Sequence, residues 1–142
     1  MTYYLTSLRK ENFDILKDNN FSLIGFSESS HIADSLLRGD YIIIYIGSRK
    51  SKIAGYIEVL DSVYWDNTII WDDVFPKRVK IRPKCILSHD KQIDIRKHIN
   101  ELEFVSNKER YGMSFMSGLR KISDNDGKYL INIIEREMNN GI

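Results

Sequence analysis

Residues 77–84 read KRVKIRPK, five cations and no acid. On a β-strand, side chains two apart share a face. A strand here therefore sets Arg78, Lys80, Arg82 and Lys84 on one side, and Val79, Ile81, Pro83 and Cys85 on the other. A row of cations along ~20 Å suits the phosphates of a nucleic-acid backbone, and predicts an affinity that falls steeply with salt. The same alternation describes an edge strand that uses lysine and arginine to discourage pairing with other chains. Both readings stay open on the strand alone.

Aromatic residues stand just before this run. Trp65, Trp71 and Phe75 surround an acidic segment. A base stacked on an aromatic face gains ~1–3 kcal/mol. Trp65 and Trp71 are expected to fill the core. Phe75, next to Pro76 and outside any periodic run, is the expected exposed ring. Further on, YGMSFMSGLR (residues 111–120) mixes apolar side chains, hydroxyls and glycines, with Arg110 and Arg120 at its flanks. Such a segment can wall a pocket and supply hydrogen bonds. It can equally pack as an Ω-loop with no ligand.

Catalytic readings find less support. His31, His89, His98 and Cys85 lie far apart, without metal-ligand spacing. The chain has no nucleophile-elbow motif and no glycine-rich phosphate loop. Asp72, Asp73 and Glu28 are the acid–base candidates for an enzyme or a nucleotide sensor, but no partner base stands at a telling spacing. No cofactor and no metal is expected. A protein-interaction module is the third reading. It would show a salt-insensitive apolar contact instead of nucleic-acid binding.

The chain has 142 residues, enough for one domain (residues 1–142) with a hydrophobic core. Its 42% hydrophobic and 29% charged residues are those of a soluble globular protein. The formal net charge of +1 hides a dipolar arrangement. Residues 58–73 hold five acids (Glu58, Asp61, Asp66, Asp72, Asp73) and no cation, immediately before the basic run. Cys85 is the single cysteine, which excludes an intrachain disulfide and predicts a reducing, cytoplasmic setting. The first residues lack the pattern of a signal peptide. The apolar runs are far shorter than the ~20 residues that span a bilayer, so no membrane partner is expected.

Local patterns place these residues on elements. Residues 2–7 read as a strand. Ser7 is the expected cap of a short helix over 10–17, with Phe13 and Leu16 on one face. Residues 21–26 form a second strand, where Gly25 suggests a bulge or a close backbone approach. A helix capped by Ser29 or Ser30, with Ile32, Leu36 and Leu37 on one face, runs to Gly39. Residues 41–47 are apolar at every position and read as a strand buried on both faces. Residues 49–52 are a basic turn. A long strand over 53–65 bends at Gly55 or at Asp61-Ser62. Residues 66–76 form a loop or short strand, and 78–86 a further strand. A helix is expected over 88–102, a long ordered loop over 103–121, and a last helix capped by Ser123 with Leu130, Ile133, Ile134 and Met138 on one face. The tail NNGI is expected to fray. This order does not alternate strictly, which disfavours a doubly wound parallel sheet. It fits an α+β fold with a strongly curved mixed sheet.

Taken together, the segments resemble the EVE-domain family of the PUA-like superfamily, related to YTH domains, in its short stand-alone prokaryotic and archaeal form. The resemblance runs over residues 2–135. It is carried by TYYLTSLRKENFDIL, IGFSES, LLRGDYIIIYIG, IAGYIEVLDSVYWD, VFPKRVKIRP and YGMSFMSGLRKIS in this order and spacing. It implies a PUA-like pseudo-barrel, a curved mixed sheet flanked by helices. It also implies a non-catalytic module that binds RNA or DNA and takes one base, modified in some relatives, into an aromatic pocket beside a basic groove. On this likeness Phe75 stands where YTH readers carry a cage tryptophan, with Pro76 beside it. Ile24, Gly25, Phe26 and Ser27 match the other cage strand, and this chain has Ile24-Gly25 where many readers have a second tryptophan. Residues 113–119 match the closing loop, with Met113, Ser114, Phe115, Met116 and Ser117 its expected pocket residues. Thr6, Ser7 and Asn12 match the strand-to-helix junction that contacts the base. Phe26, Phe75, Met113 and Phe115 are thus the expected lining, and Lys77, Arg78, Lys80, Arg82, Arg110 and Arg120 the expected phosphate contacts.

Overall fold

The computed structural model describes residues 1–47, 50–116 and 118–140. Its strands are β1 (Tyr3–Leu8), β2 (Leu23–Phe26), β3 (Tyr41–Ile46), β4 (Lys52–Val59), β5 (Tyr64–Trp65), β6 (Lys77–Ile86), β7 (Ile93–Asp94) and β8 (Leu119–Ile122). The helices are α1 (Lys10–Asp18) and α2 (Asp124–Asn139). The strands form one curled mixed sheet in the order β2-β6-β4-β3-β1-β8, with β5 on β6 and β7 on β4. Among the described residues only β1 and β3 run parallel.

Strand alternation divides the core in two. Tyr4, Ile42, Ile44, Ala54, Ile57, Val79 and Ile81 face one cluster, completed by Phe13 and Leu16 of α1. Leu5, Ile43, Tyr45, Ile53, Tyr56 and Ile122 face the other, completed by Leu130, Ile133 and Ile134 of α2. Burial on both faces explains the unbroken apolar run of β3, as its sequence predicted. At ~25 cal/mol per Å² of apolar surface removed from water, two such faces dominate the stabilisation.

Two register shifts shape the sheet. One lies between Ile44 and Tyr45 of β3, the other between Tyr56 and Ile57 of β4. At the second, Tyr56 pairs with Cys85 and Ile57 with Pro83, leaving Lys84 unpaired as a bulge. The bulge moves β6 from one core to the other: Val79 and Ile81 pack on the α1 side, Cys85 on the α2 side. Gly55 has φ +148°, and a Cβ there would overlap the Cys85 carbonyl oxygen. The predicted bend at Gly55 is therefore a close strand approach that only glycine allows.

Elsewhere the structure departs from the local patterns. The predicted helix after β2 is a 3₁₀ turn over Ile32–Ser35. Only Ala33 and Leu36 of that segment are buried, an i, i+3 pair that suits the tighter turn. The predicted helix over 88–102 is a series of 3₁₀ turns interrupted by β7. Ile93 and Asp94 are drawn into extended conformation by pairing with Ile53 and Lys52 of β4. The predicted loop over 103–121 contains a 3₁₀ turn (Tyr111–Phe115) and β8, which pairs with β1. The predicted long strand over 53–65 is two strands, β4 and β5. Ser7 does not cap α1; Arg9 precedes it without a side-chain cap. Ser123 does cap α2, its hydroxyl accepting the Asp126 N–H at 3.1 Å. Of the tail and the basic turn, Arg49, Gly141 and Ile142 lie outside the described residues, as does Ser48 before the turn. Among the described residues no helix is long and apolar enough to cross a membrane.

Replacing Gly55 with alanine forces β4 away from β6. The expected loss is ~2–4 kcal/mol, measured as a lower urea midpoint with an unchanged slope.

Candidate ligand-binding cleft

Arg78 lies on β6 between Gly25 of β2 and Tyr64 of β5. It is 0% exposed. A buried guanidinium requires partners for its charge and its N–H groups. The segment 66–76 supplies most of them by folding over it, while Nη1 has no hydrogen-bond partner among the described residues. Arg78 Nε donates to the Phe75 carbonyl at 3.0 Å, and Nη2 donates to the Thr68 carbonyl. Nη1 lies 3.5 Å from the Asp66 carboxylate. The Trp71 ring covers the guanidinium, with 5.1 Å from Cζ to the ring centroid. The segment is closed at its base by the Asp66 N–H donating to the Pro76 carbonyl at 2.9 Å. The Asp66 carboxyl is held below its ordinary range, chiefly by hydrogen bonds from the Thr68 N–H and hydroxyl, with a smaller contribution from Arg78.

Gly25 makes this packing possible. A Cβ there would stand 2.6 Å from the Trp71 ring and 2.9 Å from Phe75 Cβ. Trp71 and Phe75 in turn pack at 6.0 Å with a 57° tilt. Buried Trp71 thus backs half-buried Phe75, which forms one wall of a cleft of about 950 Å³. The opposite wall is the β1–α1 junction. There Thr6 is buried, and the Ser7 hydroxyl has no hydrogen-bond partner among the described residues. Asn12 and Asp72 bind each other: Asn12 Nδ2 donates to Asp72 Oδ1 at 3.0 Å, and the Asp72 N–H donates back at 3.4 Å. Arg9 pairs with the same carboxylate. These contacts tie segment 66–76 to α1 across one end of the cleft. Asp73 also lines it, while its carboxylate accepts the Val74 N–H at 2.7 Å.

The structure brings Thr6, Ser7, Asn12, Gly25, Phe26, Ser27, Phe75 and Met116 together around this cleft. Ile24 instead fills the core, because residues one apart on β2 face opposite sides. Pro76 is buried and does not border the cleft. Phe115 is buried on the other side of the sheet, stacked on Tyr45 at 4.3 Å. Met113 is 63% exposed and away from the cleft. The Ser114 carbonyl accepts Arg120 Nη1 at 2.8 Å, which turns that segment inward on itself. Ser117 lies outside the described residues.

The continuous row of cations is also corrected. Arg78 is core. Lys77 Nζ donates to the Ser30 carbonyl at 3.0 Å and to Asp34 at 2.9 Å. Arg82 pairs with Glu58 at 2.6 Å. Arg120 lies over the Phe104 ring at 4.9 Å. Lys80, Lys84 and Arg110 are exposed, with no ion pair among the described residues. Trp65, expected in the core, is 56% exposed because β5 sits at the margin of the sheet.

Residues absent from the predicted site also line the cleft, among them Arg9, Ser29, Ser30, His31 and Ile32. The hydroxyl-rich run SESSH directly after β2 was the available signal for the serines. Nothing local marked Arg9, whose role arises from its distant partner Asp72.

A curled mixed sheet, with a cleft between its first strand-to-helix junction and an aromatic loop, defines a PUA-like fold. The EVE domain model matches residues 2–133, and the chain belongs to the EVE domain family. It is similar to the UPF0310 protein PH1033 of Pyrococcus horikoshii, 28% identical over 145 residues, covering 92% of this chain and 97% of that one. It is also similar to the UPF0310 protein SSO2595 of Saccharolobus solfataricus, 28% identical over 120 residues, covering 76% and 75%. Among solved structures, the Mmi1 YTH domain in a complex with RNA shares the fold at TM-score 0.67 and 16% identity, covering 99% of this chain and 82% of that one. Rpa0253 of Rhodopseudomonas palustris matches at TM-score 0.66 and 12% identity, covering 96% and 94%.

Replacing Arg78 with methionine removes the partner of two carbonyls and a carboxylate. In a Trp65→Phe background, where Trp71 is the sole indole, the expected result is a loss of ~3–5 kcal/mol and a red-shifted fluorescence emission as Trp71 becomes wet.

Proposed function

We propose that this chain is a non-catalytic nucleic-acid-binding module whose cleft takes one base, stacked on Phe75. The observation that carries the reading is the juxtaposition of an aromatic wall with a polar lining. Phe75 faces the junction where Asp72 holds the Asn12 side chain, and Ser27, Ser29 and Ser30 border the same space. A base offers a ring face to the first and hydrogen-bonding edges to the second. Family membership and the fold shared with a YTH domain solved with RNA support a nucleic acid as the partner, with RNA the favoured form. The cleft lies at the upper end of small-molecule pocket volumes, which leaves room for a base carrying an added group.

Energetics place the weight on stacking. Extracting a base from its neighbours costs a few kcal/mol. One stack returns ~1–3 kcal/mol, and the hydrogen bonds at the junction must supply the rest. Phosphate attraction adds little, because Lys77, Arg78 and Arg82 already have protein partners and Arg9 is paired with Asp72. Non-catalytic action is supported by the engagement of the nearby carboxylates: Asp72 holds Arg9 and Asn12, and Asp73 caps its own loop.

Two results test this reading. Phe75→Ala weakens binding of a preferred single-stranded oligonucleotide by ~5–150-fold, the equivalent of one lost stack, in a fluorescence-anisotropy screen of modified and unmodified sequences. Unchanged affinity for every sequence contradicts it. The slope of log affinity against log salt is shallow, no steeper than about −2, since about three accessible cations at ~0.7 each remain to meet phosphates. This replaces the steep dependence expected from an unbroken cationic strand.

A further inference from the structure

α1 has a second face that the base-binding reading does not use. Arg9 and Asn12 border the Phe75 cleft. Lys10, Phe13, Asp14 and Lys17, spaced i, i+3, i+4 and i+7, border a separate cavity of about 630 Å³ on the other side of the helix. Its other wall is the end of β6 and the turn that follows, and Ile46 of β3 and Lys50 close one end. The floor is apolar: Phe13, Phe21, Ile46, Ile86 and Leu87. Phe21 reaches it through a strained backbone. Asn20 and Phe21 both lie in the left-handed region, at φ +60° and +53°, which is unfavourable for a bulky side chain. The conformation is held by the Phe21 N–H donating to the Leu16 carbonyl at 2.8 Å, and by the Phe13 ring at 5.7 Å.

The rim is cationic. Three lysines face one carboxylate, Asp14, which is taken by Lys10 at 2.8 Å. Lys17 and Lys50 are exposed and have no ion pair among the described residues. The balance is the reverse of the Phe75 cleft, where Arg9 faces Asp72 and Asp73. The two clefts therefore select different chemistry, although they share a helix.

We propose that this cavity is a second binding site, for a small amphipathic anion: an aromatic or short aliphatic body carrying one carboxylate, sulfonate or phosphate. The body packs on Phe13, Phe21 and Leu87. The anionic head meets Lys17 and Lys50, with the Gln92 side chain at the same rim, while the Ser88 hydroxyl there donates to Asp90 at 2.8 Å. An apolar floor without cations would take any hydrophobe, and cations without a recess would be a solvated surface. Their coincidence in a volume of ligand size is what selects this class.

The test uses 8-anilinonaphthalene-1-sulfonate as the probe, read by fluorescence on the whole chain. Saturable binding is expected. Decanoate or adenosine 5′-monophosphate is expected to displace the probe, and the neutral counterparts decanol and adenosine are not, which identifies the body. The double variant Lys17→Glu/Lys50→Glu, whose changes are solvent-exposed, is expected to weaken the probe at least about tenfold with an unchanged thermal midpoint. Phe75→Ala is expected to leave it unaffected, so the result does not depend on the base-binding reading. The proposal is overturned if the wild type shows no saturable binding, if the double variant binds equally, or if neutral compounds displace the probe as well as anions. Loss of probe binding in Phe75→Ala also overturns it. If the double variant loses its thermal transition, the charge-neutral Lys17→Gln/Lys50→Gln replaces it, with weaker probe binding expected and full retention contradicting the proposal.

Discussion

A buried guanidinium organises the end of this protein that carries the Phe75 cleft. Arg78 comes from a strand whose neighbours leave it no solvent, so its charge must be met from above. Segment 66–76 meets it with two carbonyls, a carboxylate and an indole face. Removing such a partner strands the remaining groups, which is far more damaging than never having had the pair. The loop is therefore held in one arrangement by polar contacts beneath it, although Ile69 and Val74 face outward. Phe75 takes its place as a cleft wall because its carbonyl is one of the groups that Arg78 requires.

The same constraint explains the weak electrostatic character of the surface. Acids of residues 58–73 and cations of residues 77–84 occupy adjoining antiparallel strands and the loop between them. Folding brings Glu58 to Arg82 and Asp66 to Arg78. The dipolar sequence neutralises itself, and Lys80 and Lys84 remain as separated outward charges. The field that an unbroken row of cations would create for phosphates is largely spent within the protein.

Much of the fold was legible in the sequence. The uninterrupted apolar run of β3, the Ser123 cap and the apolar stripe of α2 each follow from local rules with one dominant solution. Likewise, Thr6, Ser7 and Asn12 lie at one strand-to-helix junction, and their convergence needs no long-range contact. What was hidden depends on distant pairing. Alternation assigned Arg78 to a face, but it cannot show that residues 66–76 return to cover that face. The apolar spacing over 88–102 suits a helix until the edge of β4 claims Ile93 for a strand. Phe115 belongs to a segment with no periodicity, and the aromatic partners Tyr45 and Phe104 decide its side. Gly25 carried a correct hint of close approach, and Trp71 and Phe75 are the groups that approach.

On the proposed reading a base enters the Phe75 cleft, and β6 does not carry the strand. Titration of the ¹⁵N-labelled chain with a short single-stranded RNA, followed by amide chemical shifts, separates these surfaces directly. The predicted result is a contiguous set of saturating shifts at Ser7, Asn12, Gly25, Ser27 and Phe75, together with the Arg78 Nε–H that senses the Phe75 carbonyl. Shifts confined to Lys80, Arg82 and Lys84, with the cleft residues unmoved, would contradict it.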